Sequence, residues 1–407
     1  MTDHKAFGER VRFYRKRRGL HQRELGELLN RTEDWVYRVE SGRIPVNNVK
    51  MLMDLAEALR VHLEDLQGAP TLLDDQGDHK ASVPAIRVAL MQSRRLSGPL
   101  LDDREPPRLE RLTFEVGQAW ELYQGSAYAR LGETLPGLVA DARLATFTYT
   151  TGLERVQALR QFALAFHLAA VYLRKLGETN LAWTAVDHGD LAASETEDPA
   201  VILALRRGVA HVQLGAGMAE QAVNVTTDAV NDLAPGWWQS SPEALSVYGT
   251  LYLNGAVAAA RMRSRDRVND HREVAEEMLR KAGEAAALLG GDGNEMWTSF
   301  GPANVKIHKL TIALEYEDYQ SALDMIPSVR AAGLPVERRA RLRLDVARTY
   351  GEVGRTDDSA DQLKKAFLTA PEQIRAHEFA RDLAGRLHKR TRRRDVQELA
   401  LKLGAIK

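Results

Sequence analysis

The sequence predicts an all-α protein in two parts, a small helical bundle within residues 1–68 and an array of longer helices over 108–407. Apolar residues recur three and four apart along most of the chain, and no run alternates with period two. From about Arg108 the helical stretches come in pairs, with glycine or proline at the joints. Length agrees, since 407 residues exceed what one compact core organises. Hydrophobic residues at 44% and charged residues at 28% suit a soluble globular protein. Cysteine is absent, which excludes disulfides and cysteine-ligated metal. The opening "MTDHKAFGERVRFYRKRRG" is charged throughout and no apolar run is long enough to span a bilayer, so neither a signal peptide nor a membrane partner is expected. The basic and acidic residues balance at 56 each, so only the distribution of charge is informative. From Arg10 to Arg18 six residues are basic and none is acidic, which fits either a solvated helix face or a phosphate contact. Only 13 of the 56 basic residues are lysine, a bias that fits a GC-rich bacterial genome.

The first part reads as five short helices. Phe7, Val11 and Tyr14 make the stripe of the first, and Gly19 stops it. "HQRELGELLN" is the second, with Leu25, Leu28 and Leu29 as its buried face. "TEDWVYRVESG" is the third. Thr32 is its N-cap, Glu33 and Asp34 suit the positive end of its dipole, and Val36 and Val39 are its buried pair. "VNNVKMLMDLAEALRV" is the fourth and "HLEDLQG" the fifth. Residues 69–107 read as a linker, with "AIRVALMQSRRL" as a short helix between two breaks.

Between helices two and three, Gly26 stands where the two must cross closely, and Asn30 falls at a turn position that needs positive φ. This is helix-turn-helix spacing. The stretch "GLHQRELGELLNRTEDWVYRVESG" resembles the Cro/CI/XRE family of DNA-binding domains in its Gly-Leu-x-Gln entry, Gln22, Gly26, and the ending at Glu40 and Gly42. Arg31 departs from the family, which has an aliphatic residue there, and its stem is expected to lie along the surface. The resemblance, over about residues 7–66, implies a five-helix lambda-repressor-like domain that binds double-stranded DNA in the major groove. It places Glu33, Asp34, Tyr37 and Arg38 at base edges and has Gln22 brace the helix and touch a phosphate. Arg38 matches guanine best. Glu33 and Asp34 either read cytosine or only cap the helix. Arg15, Arg17, Arg23 and Arg43 are expected at phosphates.

In the second part, "ARTYGEVGRTDDSADQLKKAFLTAP" carries Ala347, Tyr350, Gly354, Ser359, Leu363, Ala366 and Pro371. These resemble the tetratricopeptide pattern, with Ser359 in place of an alanine. "AHVQLGAGMAEQAVNVTTDAVNDLAP" and "ALEYEDYQSALDMIPSV" fit more loosely, the latter with Glu317 at the turn, and 153–194 and 241–290 read as longer pairs. The expected architecture is a tetratricopeptide-like α-solenoid.

No catalytic, cofactor or metal motif is present. "LGGDGNE" lacks the residues of a phosphate loop, and "DHGD" and "DHRE" read as exposed helix ends. An enzyme is therefore not expected. Trp297, Phe300, Asn304 and His308 either bind a peptide or small effector, or are core and helix surface. Helix-turn-helix plus repeats resembles cytoplasmic bacterial regulators, actinobacterial in type, whose repeat domain senses a ligand and forms a homodimer on a pseudo-palindromic operator. Such a protein works at the nucleoid. The dimer contact is expected within 336–402. The competing reading is a protein-interaction adaptor with little specific DNA binding.

Overall fold

The computed structural model describes residues 4–17, 20–46, 49–59, 61, 66, 82–91, 104–232, 234, 236–262, 268–391 and 393–406. Among these, every regular element is helical. The chain divides into two compact units, 1–77 (with 406–407) and 78–405.

The first unit contains α1 (His4–Arg17), α2 (Gln22–Leu28), α3 (Glu33–Glu40) and α4 (Val49–Leu59). Phe7, Val11, Leu25, Leu29, Val36, Val39, Leu52, Leu55 and Leu59 form its core, joined by Leu66. Apart from Leu66, most of the expected fifth helix lies outside the described residues, as do Gly19 and the linker at 69–81. Leu28 is not buried as expected; it is 57% exposed. A seven-residue helix presents one narrow stripe, and Leu25 and Leu29 fill it.

The second unit begins earlier than expected. Helix α5 (Val83–Met91), which the sequence places inside a linker, buries Val83, Ile86 and Leu90 in the core formed by the helices that follow it. Its apolar spacing was readable, but a nine-residue stripe does not say which surface covers it. Then come α6 (Leu109–Gln124), α7 (Tyr128–Thr148) and five hairpins: α8 with α9 (Gly152–Lys175, Thr179–Ser194), α10 with α11 (Pro199–Gly215, Ala219–Asn231), α12 with α13 (Pro242–Arg261, Val268–Leu289), α14 with α15 (Pro302–Glu315, Tyr319–Met325) and α16 with α17 (Val336–Glu352, Thr356–Thr369). Helices α18 (Pro371–Ala376), α19 (Glu378–Arg390) and α20 (Arg394–Lys402) end the array. Proline opens α10, α12, α14 and α18, where its missing N–H is harmless. Pro136, expected at a joint, instead lies inside α7. Pro327 sits in a short 3-10 turn after α15, and Pro235 lies outside the described residues.

Four of the hairpins turn through three residues whose middle one is left-handed: Gly177 (φ 79°), Gly217 (φ 80°), Glu317 (φ 59°) and Gly354 (φ 80°). Glu317 alone carries a Cβ there, at a cost of roughly 1–2 kcal/mol. Glu317→Gly is therefore expected to raise stability by about 1 kcal/mol, net of the extra unfolded-state entropy of glycine. A denaturant midpoint that does not move upward would remove this account of the turn.

The array closes on itself. Ser126 Oγ donates to Gln373 Oε1 at 2.8 Å, Ala129 N donates to Glu372 Oε2 at 2.9 Å, and Lys175 Nζ pairs with Glu337 at 2.6 Å. The segment between α13 and α14 returns to α6, where the Gln124 and Asn294 amides exchange hydrogen bonds at 2.9 and 2.8 Å. Part of the surface expected to hold a dimer, within 336–376, is thus used inside the chain. Helix α8 is long and apolar enough to cross a membrane by length and composition, which the sequence reading missed. It is a core helix, with 78% of its most apolar window buried.

Candidate nucleic-acid interface

Helix α3 is set by its own sequence. Thr32 Oγ1 accepts from Trp35 N at 3.2 Å, so the cap is made. Asn30 takes φ 52° at the turn, as its residue type allows. A Cβ on Gly26 would lie 2.8 Å from the Arg31 carbonyl oxygen, which is why helix two needs glycine there. At the N-terminus of α2 the His21 N–H donates to Glu24 Oε2 at 2.5 Å.

Val36, Val39 and Glu40 face inward, so Glu33, Asp34, Tyr37 and Arg38 are left on the solvent side of α3. The four side chains that the sequence placed at base edges therefore share one exposed face. Arg38 Nη1 lies 3.7 Å from Asp34 Oδ2, with 52% and 73% of the two side chains exposed. A pair this open holds little energy and leaves Arg38 free to exchange partners. Arg43 stacks on Tyr37, its guanidinium carbon 5.2 Å from the ring centre, at the edge of the same face. Arg23 is exposed and pairs loosely with Glu27 at 3.3 Å. Arg31, expected to run along the surface, lies over the Trp35 ring at 5.7 Å, and Trp35 packs against the core.

Arg15 requires a correction. Expected at phosphates, it is only 7% exposed. Its Nε and Nη2 donate to the Glu40 carboxylate at 2.5 and 3.0 Å, and Nη1 donates to Leu20 O at 2.7 Å. Gln22 Nε2 completes the carboxylate's shell at 2.7 Å. Gln22 braces the helix as expected, through Glu40. Arg15 thus fastens α1 to the end of α3 and is not available to DNA. The Arg17 side chain lies outside the described residues.

The second candidate group is dispersed by the structure. Phe300 is fully buried in a notch at Gly249, where a Cβ would meet its ring at 1.9 Å. Trp297, half-buried, stacks on the buried Trp120 with centroids 5.2 Å apart. Phe300 is not placed to receive a ligand, and the Trp297 ring is engaged by Trp120. Asn304 and His308 do share one face of α14, both buried, and His308 Nδ1 bonds Asn304 O at 2.9 Å. Burial, reinforced by Arg338, pushes the His308 imidazole down to about 3, so it is neutral at physiological pH. Among the described residues no group of acids and histidines is arranged to hold a metal.

Residues 6–67 match a protein family described as a helix-turn-helix domain. The chain therefore carries a DNA-binding helix-turn-helix domain at its N-terminal end. Among solved structures, Bacillus thuringiensis PlcR in complex with a peptide and DNA is similar at 13% identity, over 70% of this chain and 99% of that one, with a TM-score of 0.26. No curated protein matches the chain.

Proposed function

We propose that the protein is a sequence-specific transcriptional regulator of the Cro/CI/XRE type, working inside a bacterial cell. It inserts α3 into the major groove as a homodimer on a pseudo-palindromic operator. The repeat unit supplies dimerisation and effector sensing, and no catalysis is involved. The observation that carries this reading is the exposed face of α3 with Glu33, Asp34, Tyr37 and Arg38, backed by the buried Arg15–Glu40–Gln22 network that fixes its pose. A reader helix held from behind keeps its side chains in register with base edges.

Arg38→Ala is expected to weaken binding to the operator by about 1–3 kcal/mol and to random DNA much less, because base contacts specify while phosphate contacts position. Equal loss on both, measured by fluorescence anisotropy, removes Arg38 as a reader. Arg23 and Arg43 contact phosphates in this reading, and losing either should flatten the salt dependence.

The dimer contact falls on the repeat unit, where Leu368 and Leu401 are exposed at 69% and 48% near its C-terminal end. Because α5 belongs to that unit's core, the fragment to weigh by light scattering is 78–407 rather than 108–407. A dimeric 78–407 with a monomeric 1–77 is expected; the reverse overturns the assignment.

A further inference from the structure

Helices α8, α10 and α16 bring together more cations than acids. Arg174 and Lys175 come from α8, Arg207 from α10, and Arg338 and Arg341 from α16. The acids within electrostatic reach are engaged, Glu315 by Arg261 at 2.9 Å. Glu337 pairs with Lys175 at 2.6 Å and, more loosely, with Arg338 at 4.0 Å, and Asp345 accepts from Arg341 at 3.2 Å and from Thr311 at 3.2 Å. Arg174 and Arg207 have no carboxylate partner among the described residues, and the Nε atoms of Arg174, Arg207 and Arg338 are buried without a hydrogen-bond acceptor. Arg207 lies within electrostatic reach of Arg338, and burial together with that like charge lowers its guanidinium to about 10.

A second, independent feature lies on the adjoining helix. Asn304 is fully buried, and neither its Nδ2 nor its Oδ1 has a partner. It shares the α14 stripe with His308 and Thr311, the stripe that meets α16 through the Thr311–Asp345 bond. A buried amide with both ends unsatisfied costs free energy until something polar pairs with it, and so do converging guanidiniums that outnumber the carboxylates beside them. Arg174, Arg207 and Arg338 are each only partly covered, so solvent reaches the cluster although it is enclosed by the closure of α6–α8 against α16 and α18.

We propose that this interior is the effector site of the repeat unit and that its ligand is a small anion, a carboxylate or phosphate gripped by Arg174, Arg207 and Arg338 with Asn304 orienting its polar remainder. Guanidinium forks match either group bidentately. The inference rests on the reading of the repeat unit as a sensor, and it narrows the effector to one that carries negative charge.

The test uses the full-length protein without DNA. Thermal unfolding is followed by circular dichroism in sodium chloride, then with inorganic phosphate or with citrate at matched ionic strength. Phosphate, citrate or both should raise the midpoint saturably by several degrees, and the more effective one identifies the ligand's acidic group. Arg280→Gln, which removes an exposed cation on α13, should keep the rise. Arg207→Gln should abolish it. In chloride alone, Arg207→Gln and Arg207→Met should melt above the wild type, because an unneutralised buried charge has gone. The site is overturned if neither anion exceeds chloride, if Arg207→Gln responds like the wild type, or if both Arg207 variants melt below the wild type in chloride. Operator selection is read separately, so either result stands or fails alone.

Discussion

Replacing Arg15 with alanine is expected to destabilise the N-terminal unit by about 3–5 kcal/mol, the range for breaking one side of a buried ion pair. Glu40 is 6% exposed and would keep a single neutral donor, Gln22, at 2.7 Å. The N–H groups that now satisfy both its oxygens come from one guanidinium, so their loss is simultaneous. A domain of this size has only about 5–15 kcal/mol in hand, so much of its stability would go. DNA binding should fall on operator and random sequence alike, and for a reason unlike that of Arg38→Ala: the helix is no longer held. The paired change Arg15→Met with Glu40→Leu should be less damaging than either single loss, since apolar residues of similar volume often replace a buried ion pair at little cost. Urea unfolding of residues 1–77 reads this directly. A midpoint unmoved by Arg15→Ala would return Arg15 to the surface face on which the sequence placed it.

Phe300→Ala is the second large effect, at roughly 3–5 kcal/mol for deleting a fully buried aromatic ring. The ring occupies the space that Gly249 leaves open in α12, and it anchors the loop whose Asn294 bonds Gln124 of α6. Its loss should therefore also loosen the contact between that loop and α6, seen as faster amide hydrogen exchange over residues 292–301. Gly249→Ala attacks the same joint from the other side, because its methyl would overlap the Phe300 ring. If both variants unfold like the wild type, Phe300 is not the anchor. A ligand role for Phe300 would instead predict loss of effector response with stability unchanged.

What the sequence revealed follows from how local each signal is. The Thr32 cap, the positive φ of Asn30, the tight crossing at Gly26 and the hairpin turns at Glu317 and Gly354 are decided by a few neighbouring residues, and all were legible. The pairs at 153–194 and 241–290 correspond to the hairpins α8–α9 and α12–α13 for the same reason. Arg15 was misread because its partner is 25 residues away, and a run of six basic residues looks the same whether or not one of them turns inward. Gly8 gave no signal at all, although a Cβ there would lie 2.4 Å from the Val39 carbonyl oxygen. The basic interior was hidden because Arg174, Arg207 and Arg338 come from three helices far apart in the chain. Only the closure of the array brings them together.

The central claim is that the exposed face of α3 reads DNA sequence. Purified full-length protein would be used to select from random double-stranded DNA, with the bound pool sequenced and the selection repeated with Arg38→Ala. The account predicts an enriched pseudo-palindromic motif with half-sites about one helical turn apart, and a loss of preference confined to symmetric positions in the variant. A pool with no enriched motif, or the same motif selected with the same stringency by Arg38→Ala, would contradict it.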